Sequence, residues 1–157
     1  LRQKDFVRSV EEAIAASGGE PHGLDLEITE SVIMDDIEAN VRKLDALRGM
    51  GVELAIDDFG TGYSSLAYIA RLPVGVIKID RAFIRNLTDD ANSESLVASI
   101  VSLTHALKRK VVAEGVETEA QARLLRLLRC DQYQGYLFSK PVALAEIEQL
   151  LLASPTS

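Results

Sequence analysis

The sequence predicts an α/β protein of parallel strands joined by helices. Short apolar runs of strand length alternate with stretches of helical periodicity, and most of these runs do not alternate in polarity, as in strands buried on both faces. That order implies a βα repeat whose right-handed crossovers bring every strand's C-terminal end to one edge of the sheet. Phe6, Val7, Val10 and Ile14 fall at helical spacing, and Gly18-Gly19 ends that helix. Residues 24–29 form a first strand. Asp35 is placed to cap the next helix, with Glu38 following in its first turn and Ile37, Val41, Leu44 and Leu47 on one face. Gly49 and Gly51 close it before a second strand over residues 52–56. A helical stretch at 65–70 leads through Pro73 to a third strand at 74–79. A long helix follows, with Leu96, Ile100, Leu103 and Leu107 on one stripe and Lys108, Arg109 and Lys110 suited to its negative end. Residues 111–113 form a fourth strand, and Thr118 with Gln121 makes a capping box for a helix carrying Leu124, Leu125 and Leu128. A strand-like piece at 134–138 precedes a last helix with Leu144, Ile147, Leu150 and Leu151, and residues 154–157 are expected to fray. No linker or second domain interrupts the chain.

Composition narrows the function. Of 157 residues, 47% are hydrophobic and 26% charged, which excludes disorder and low complexity. No apolar run approaches the roughly 18 residues of a membrane span, and no signal-peptide pattern opens the chain. The lone Cys130 excludes an intrachain disulfide, makes a cysteine-rich zinc site a poor candidate and suits a reducing, cytoplasmic setting. A net charge of -7 argues against binding to DNA or RNA. It still allows one small phosphate ligand, because bound metal ions reverse the local sign.

The informative feature is acid at each strand end. The first strand ends in Glu27 and Glu30, the second in Asp57-Asp58, the third in Asp80 and the fourth in Glu114 and Glu117. Parallel neighbours would bring these acids to one rim. Two carboxylates about 4 Å apart repel by roughly 4 kcal/mol at an effective dielectric near 20. A single acid after a strand is ordinarily a helix cap. Acids at successive strand ends favour divalent metal instead, and an oxygen-only ligand set suits Mg2+ or Mn2+ over zinc. Asp57-Asp58 runs into Phe59, Gly60, Thr61, Gly62, Tyr63, Ser64 and Ser65, a weak phosphate cradle and a better mobile lid. Lys78 sits inside an apolar strand, either to orient a hydroxide or phosphate oxygen at the rim or as a plain salt bridge.

Leu26 to Ser31, the run DDFGTGYSSL from Asp57, Lys78-Ile79-Asp80, VVAEGVET from Val111, and Cys130-Asp131 through Gln134-Gly135-Tyr136 to Pro141 together resemble EAL-domain proteins, in order and over nearly the whole chain. The resemblance implies a (β/α)8 TIM-like barrel, represented here by an incomplete C-terminal part with about five parallel strands and flanking helices. It implies a phosphodiesterase that hydrolyses cyclic di-GMP to linear pGpG with two divalent cations, Mg2+ or Mn2+. By position, Glu27 would hold one metal, Asp57 would bridge both, and Asp58 and Glu114 would hold the second. Lys78 would position the nucleophilic water, with Glu114 a further candidate base and Gln134 beside that water or the second metal. Glu30 would anchor the lid, which in this family couples the site to a homodimer. Asp80, Glu117, Phe138 and Pro141 would lie near the bound nucleotide.

The Glu-Ala-Leu and Asn-x-Ser segments of the family are absent, so residues 1–157 read as the C-terminal part of a single EAL domain. The expectation is an active intact domain and an inactive 157-residue chain, behind an upstream sensory or cyclase domain and in the cytoplasm, free or as part of a larger membrane-bound or multidomain protein. Two alternatives stay open: a degenerate EAL domain that senses cyclic di-GMP or docks a partner, and another metal-dependent barrel such as an enolising enzyme. His22 has no partner in the sequence, and His105 reads as a packed helix residue. Arg123, Arg126 and Arg129 read as a solvated helix face or an interdomain contact.

Overall fold

In the computed structural model, which describes residues 1–60 and 66–153, helices and strands alternate around one parallel sheet. The elements are α1 (Phe6–Ser17), β1 (Asp25–Thr29), α2 (Glu30–Met34), α3 (Ile37–Gly49), β2 (Glu53–Phe59), α4 (Leu66–Arg71), β3 (Val76–Ile79), α5 (Arg81–Arg85), α6 (Ala91–Ala106), β4 (Lys110–Ala113), α7 (Glu119–Leu127), β5 (Gln132–Tyr133) and α8 (Leu144–Ala153). The strand order is β1-β2-β3-β4-β5 and every pairing is parallel. A sheet wound in one direction, each strand beside its predecessor, has the order of barrel staves rather than of a doubly wound sheet.

The two faces of the sheet differ. Leu54, Ile56, Ile77, Ile79, Val111 and Ala113 are buried and join one core with Leu44 and Leu47 of α3, Val97 and Val101 of α6, and Leu125 of α7. The opposite face is a concave cavity of about 630 Å³ that includes Asp25, Glu27, Glu53, Ala55, Lys78, Lys110, Val112 and Gln134. Ala55, Lys78 and Val112 of this face are themselves buried, so the middles of β2, β3 and β4 are buried on both faces as expected, while Asp25, Glu53 and Lys110 at the strand starts are exposed. The alternation escapes a sequence reading because small or apolar Ala55, Val76 and Val112 sit among the inward charges.

Most elements form where periodicity puts them, and the differences lie at their ends. Helix α1 stops at Gly18, whose φ of 64° a side chain resists. The cap of α3 is Asp36, which accepts from the Ala39 N–H at 3.1 Å, while Asp35 ends α2 and pairs with Arg2 at 2.8 Å. Strand β2 runs on through Asp57 and Asp58 to Phe59, and β3 begins only at Val76. The last strand is residues 132–133 rather than 134–138, although the Gln134 N–H still donates to the Ala113 carbonyl at 2.9 Å. On α6 the buried stripe is Val97, Ile100, Val101 and Thr104, with Leu96 43% exposed, because the helix meets the sheet one residue further round. The short helices α2 and α5 carry too few residues for periodicity to register.

The capping box of Thr118 and Gln121 is present at α7, and Gln121 also donates to the buried Ile84 carbonyl at 3.0 Å. Arg109 donates to the carbonyls of Ile69, Ala70 and Leu72, satisfying the end of α4. Arg123, Arg126 and Arg129 are exposed, as a solvated face requires. Cys130 precedes β5, and burial pushes its thiol up to about 11. No helix among the described residues is long and apolar enough to cross a membrane. The expected fraying at 154–157 lies outside the described residues.

Candidate active site at the C-terminal edge of the sheet

The parallel register carries the acids to one place. Thr29 of β1 stands beside Asp57 of β2, Lys78 of β3 beside Val112, and Ile79 beside Ala113, so that Glu114 leaves β4 level with the end of β3. Carboxylate oxygens of Asp57, Asp58 and Glu114 lie within 4.8 Å of one another. Asp58 takes a φ of 54°, an unusual conformation for a residue with a side chain, and the pairing of β2 with β3 is irregular across it. That distortion lets two adjacent strand residues, which ordinarily face opposite sides, both serve the cluster.

Lys78 stands at the centre, only 5% exposed. Its Nζ lies 2.6 Å from Glu27 Oε2, 2.6 Å from Glu114 Oε1 and 3.4 Å from Asp57 Oδ1. Burial works to lower the affinity of this amine for its proton, but hydrogen bonds to Glu114 and Glu27 outweigh it and hold the ammonium charged well above the ordinary lysine range. Asp57 Oδ1 is buried and makes no hydrogen bond among the described residues, the lysine lying within Coulomb range but off the bonding direction. The Asp58 carboxyl is raised, first by burial, then by a hydrogen bond with Asp80 and the neighbouring Asp57 charge. Crowded acids of this kind, one with an orphaned oxygen, fit a hard divalent cation, and the donors are all oxygen.

The neighbouring residues divide between the site and its frame. Gln134 Nε2 donates to Glu114 Oε1 at 2.8 Å. Glu114, Glu117, Gln134 and Pro141 line a second cavity of about 490 Å³ beside the cluster. Asp80 caps α5, accepting from the Ala82 N–H at 2.7 Å, while contacting Asp58, so a cap and a place at the site coexist in one residue. Phe138 is 69% exposed and packs against Tyr133, with ring centroids 5.5 Å apart, outside the lining of that cavity. Glu30, 3% exposed, accepts from the Gly60 N–H at 3.0 Å, which ties α2 to the segment after β2. Phe59 is buried, and Gly60 has a φ of 96° with Phe83 where a Cβ would fall. Thr61, Gly62, Tyr63, Ser64 and Ser65 of the expected lid lie outside the described residues.

The match to known proteins agrees with this geometry. The family model of the EAL domain matches residues 1–141. This chain belongs to the EAL-domain family. It is 48% identical over 93% of its length to the bifunctional diguanylate cyclase/cyclic di-GMP phosphodiesterase MucR of Pseudomonas aeruginosa, of which it spans 21%. Its fold matches the PaMucR phosphodiesterase in its c-di-GMP complex with a TM-score of 0.90 and 45% identity, over 93% of this chain and 59% of that one. The EAL domain of Mycobacterium smegmatis DcpA matches with a TM-score of 0.92 and 40% identity, over 100% of this chain and 70% of that one. The manganese and cyclic di-GMP complex of Klebsiella pneumoniae BlrP1 matches with a TM-score of 0.81 and 35% identity, over 89% of this chain and 36% of that one. The chain thus spans about a fifth of the curated relative, and its sheet is part of the TIM-like barrel of EAL domains.

Sequence reasoning missed the second cavity's cation, Arg81, which directly follows the Lys78-Ile79-Asp80 motif. It also missed that His105 binds Asp131 at 2.9 Å, a pairing between α6 and the approach to β5 that no local pattern announces.

Proposed function

We propose that this chain supplies the catalytic face of a metal-dependent phosphodiesterase that hydrolyses cyclic di-GMP to linear pGpG. The observation that carries the reading is the convergence of Asp57, Asp58 and Glu114 within 4.8 Å, with Asp57 holding an unsatisfied buried oxygen. Solved structures of relatives in complex with c-di-GMP, one of them also with manganese, support the choice of substrate and of a divalent cation.

In this reading Glu27, Asp57, Asp58 and Glu114 would hold two divalent cations, Mg2+ or Mn2+. When bound they would supply Lewis acidity and neutralise phosphate charge, which would let a protein of net charge -7 accept an anionic substrate. Lys78, already charged and fixed between two carboxylates, orients the attacking water. Glu114 receives the water's proton, and Gln134 holds the Glu114 carboxylate in position by donating to Oε1. Glu30 fixes the base of the lid through Gly60.

The reading treats residues 1–157 as the C-terminal part of a single EAL domain, whose other strands complete the barrel and the metal ligands. The sheet described here is open at β1 and β5, so the 157-residue chain alone is expected to be inactive. It also carries, from the family resemblance, a cytoplasmic location, a homodimer through the lid-side surface and an upstream sensory or cyclase domain. The test is cyclic di-GMP turnover by the full-length protein with Mg2+ or Mn2+. Release of pGpG, lost with chelator and in Asp57→Asn, supports the reading. Metal-independent binding without consumption overturns it in favour of a sensor.

A further inference from the structure

Among the described residues β5 is an end strand of two residues, Gln132–Tyr133, paired with β4 alone. So short a ladder specifies its register weakly, and a slip of one residue would exchange the faces of all its side chains. In the observed register Gln132 and Gln134 line the inner-face cavity, while Tyr133 packs against the core. Gln134 is the one that reaches the carboxylate cluster, where its Nε2 donates to Glu114 Oε1 at 2.8 Å.

The register is held at both ends. Beyond β5, Gly135 lies against the Val116 backbone, and the Val116 N–H donates to the Gln134 carbonyl at 3.0 Å. Before β5, a side chain does the work of a ladder bond. The N–H groups of Lys110 and Glu114 donate to the Gly75 and Ile79 carbonyls on the β3 side, so the intervening Val111 N–H is turned toward β5. It stands one residue ahead of the first paired residues, Val112 and Gln132, and Asp131 Oδ2 accepts from it at 2.8 Å. The same oxygen accepts from His105 Nε2 at 2.9 Å, so α6 also holds the carboxylate. Val111 is fully buried, and a slipped β5 would take the acceptor away from its N–H.

Resting on the phosphodiesterase reading, we infer that Asp131 is a positioning residue for the reaction: by locking the register of β5 against β4 it aims the Gln134 amide at Glu114, the group proposed to receive the water's proton. A shift of one residue along a strand moves a side chain by about 3.3 Å and turns it to the other face, which breaks a hydrogen bond of ordinary length outright. Asp131 therefore acts on the chemistry through Gln134, and His105 acts through Asp131.

The test is a double-mutant cycle in the full-length protein, reading kcat and KM for cyclic di-GMP and the melting temperature. It combines Asp131→Ala and His105→Ala, singly, with Gln134→Ala. Asp131→Ala is expected to lower kcat by roughly ten-fold or more with KM within about three-fold of wild type, as misalignment of a reacting group does. His105→Ala leaves the Val111 bond in place and should lower kcat less. Asp131→Asn keeps an oxygen for the Val111 N–H and should recover most of the loss. In the Gln134→Ala background both effects on kcat should vanish while the loss of thermal stability remains. Losses in kcat that multiply overturn the inference, because Asp131 would then serve the fold and not Gln134. An unchanged kcat in Asp131→Ala also overturns it and leaves the function intact. If Asp131→Ala does not fold, the cycle of His105→Ala with Gln134→Ala decides the same question by the same criterion. A wild type that turns over no cyclic di-GMP overturns the phosphodiesterase reading itself, and this inference with it.

Discussion

Lys78 Nζ lies 2.6 Å from Glu114 Oε1, a bond between the centre of one strand and the residue just past the end of its neighbour. The lysine stands where it offsets the negative charge of three acids. Lys78→Met should therefore lower stability by on the order of 1–3 kcal/mol, less than a fully buried pair would cost because Glu27 is half exposed. The loss should shrink when millimolar Mn2+ is added, since a cation then does the neutralising. Thermal melts with and without metal measure it, and an equal loss in both would argue against a metal site.

Glu30 is buried and accepts from the N–H of Gly60, the residue directly after β2. Glu30→Ala leaves that donor without its acceptor and should cost about 1–3 kcal/mol. Glu30→Gln keeps an acceptor oxygen and should cost less. Chemical denaturation of both variants gives the ordering, and activity should fall in the same order if the anchor serves the lid.

Asp131 Oδ2 accepts from both the Val111 N–H at 2.8 Å and His105 Nε2 at 2.9 Å, joining β4, α6 and the residue before β5. Burial works to raise its pKa, but the Val111 and His105 bonds prevail and hold it below the usual carboxylate value. A depressed folded-state pKa contributes stability above the unfolded value near 3.9, lost as pH falls through the folded value. Asp131→Asn should thus be destabilised at pH 7 by roughly 1 kcal/mol, with the gap to wild type narrowing progressively as pH falls below the unfolded carboxylate value. Urea titrations at pH 7 and at a series of acid pH values decide it.

A Cβ at Gly135 would fall 2.2 Å from the Val116 carbonyl oxygen and 2.3 Å from its nitrogen. The Val116 backbone cannot yield as a side chain can. Gly135→Ala should cost about 3 kcal/mol or more and displace Gln134 from Glu114. A melting temperature within a degree of wild type would contradict the close approach.

Much of this was legible in the residues. The βα rhythm, the Thr118 capping box and the acids that converge were all readable, because periodicity and capping act within a few residues of chain. What the chain could not show locally was pairing at long separation. Asp80 looked like one more rim acid until the structure gave it the α5 cap as well, and Asp36 rather than Asp35 caps α3 because the brief α2 comes between.

By itself the sequence determined which residue types are available: an oxygen-only set of acids, one lysine among them, and strands too short and too regularly spaced for anything but a parallel βα array. Tertiary structure decided which acids meet. Asp57, Asp58 and Glu114 are brought within 4.8 Å by parallel register and by a left-handed Asp58, while the charged inner face and apolar outer face emerge only when the strands lie side by side. Local preferences are set by neighbours in the chain, whereas a site is set by distances in space, and those depend on the register of every strand at once.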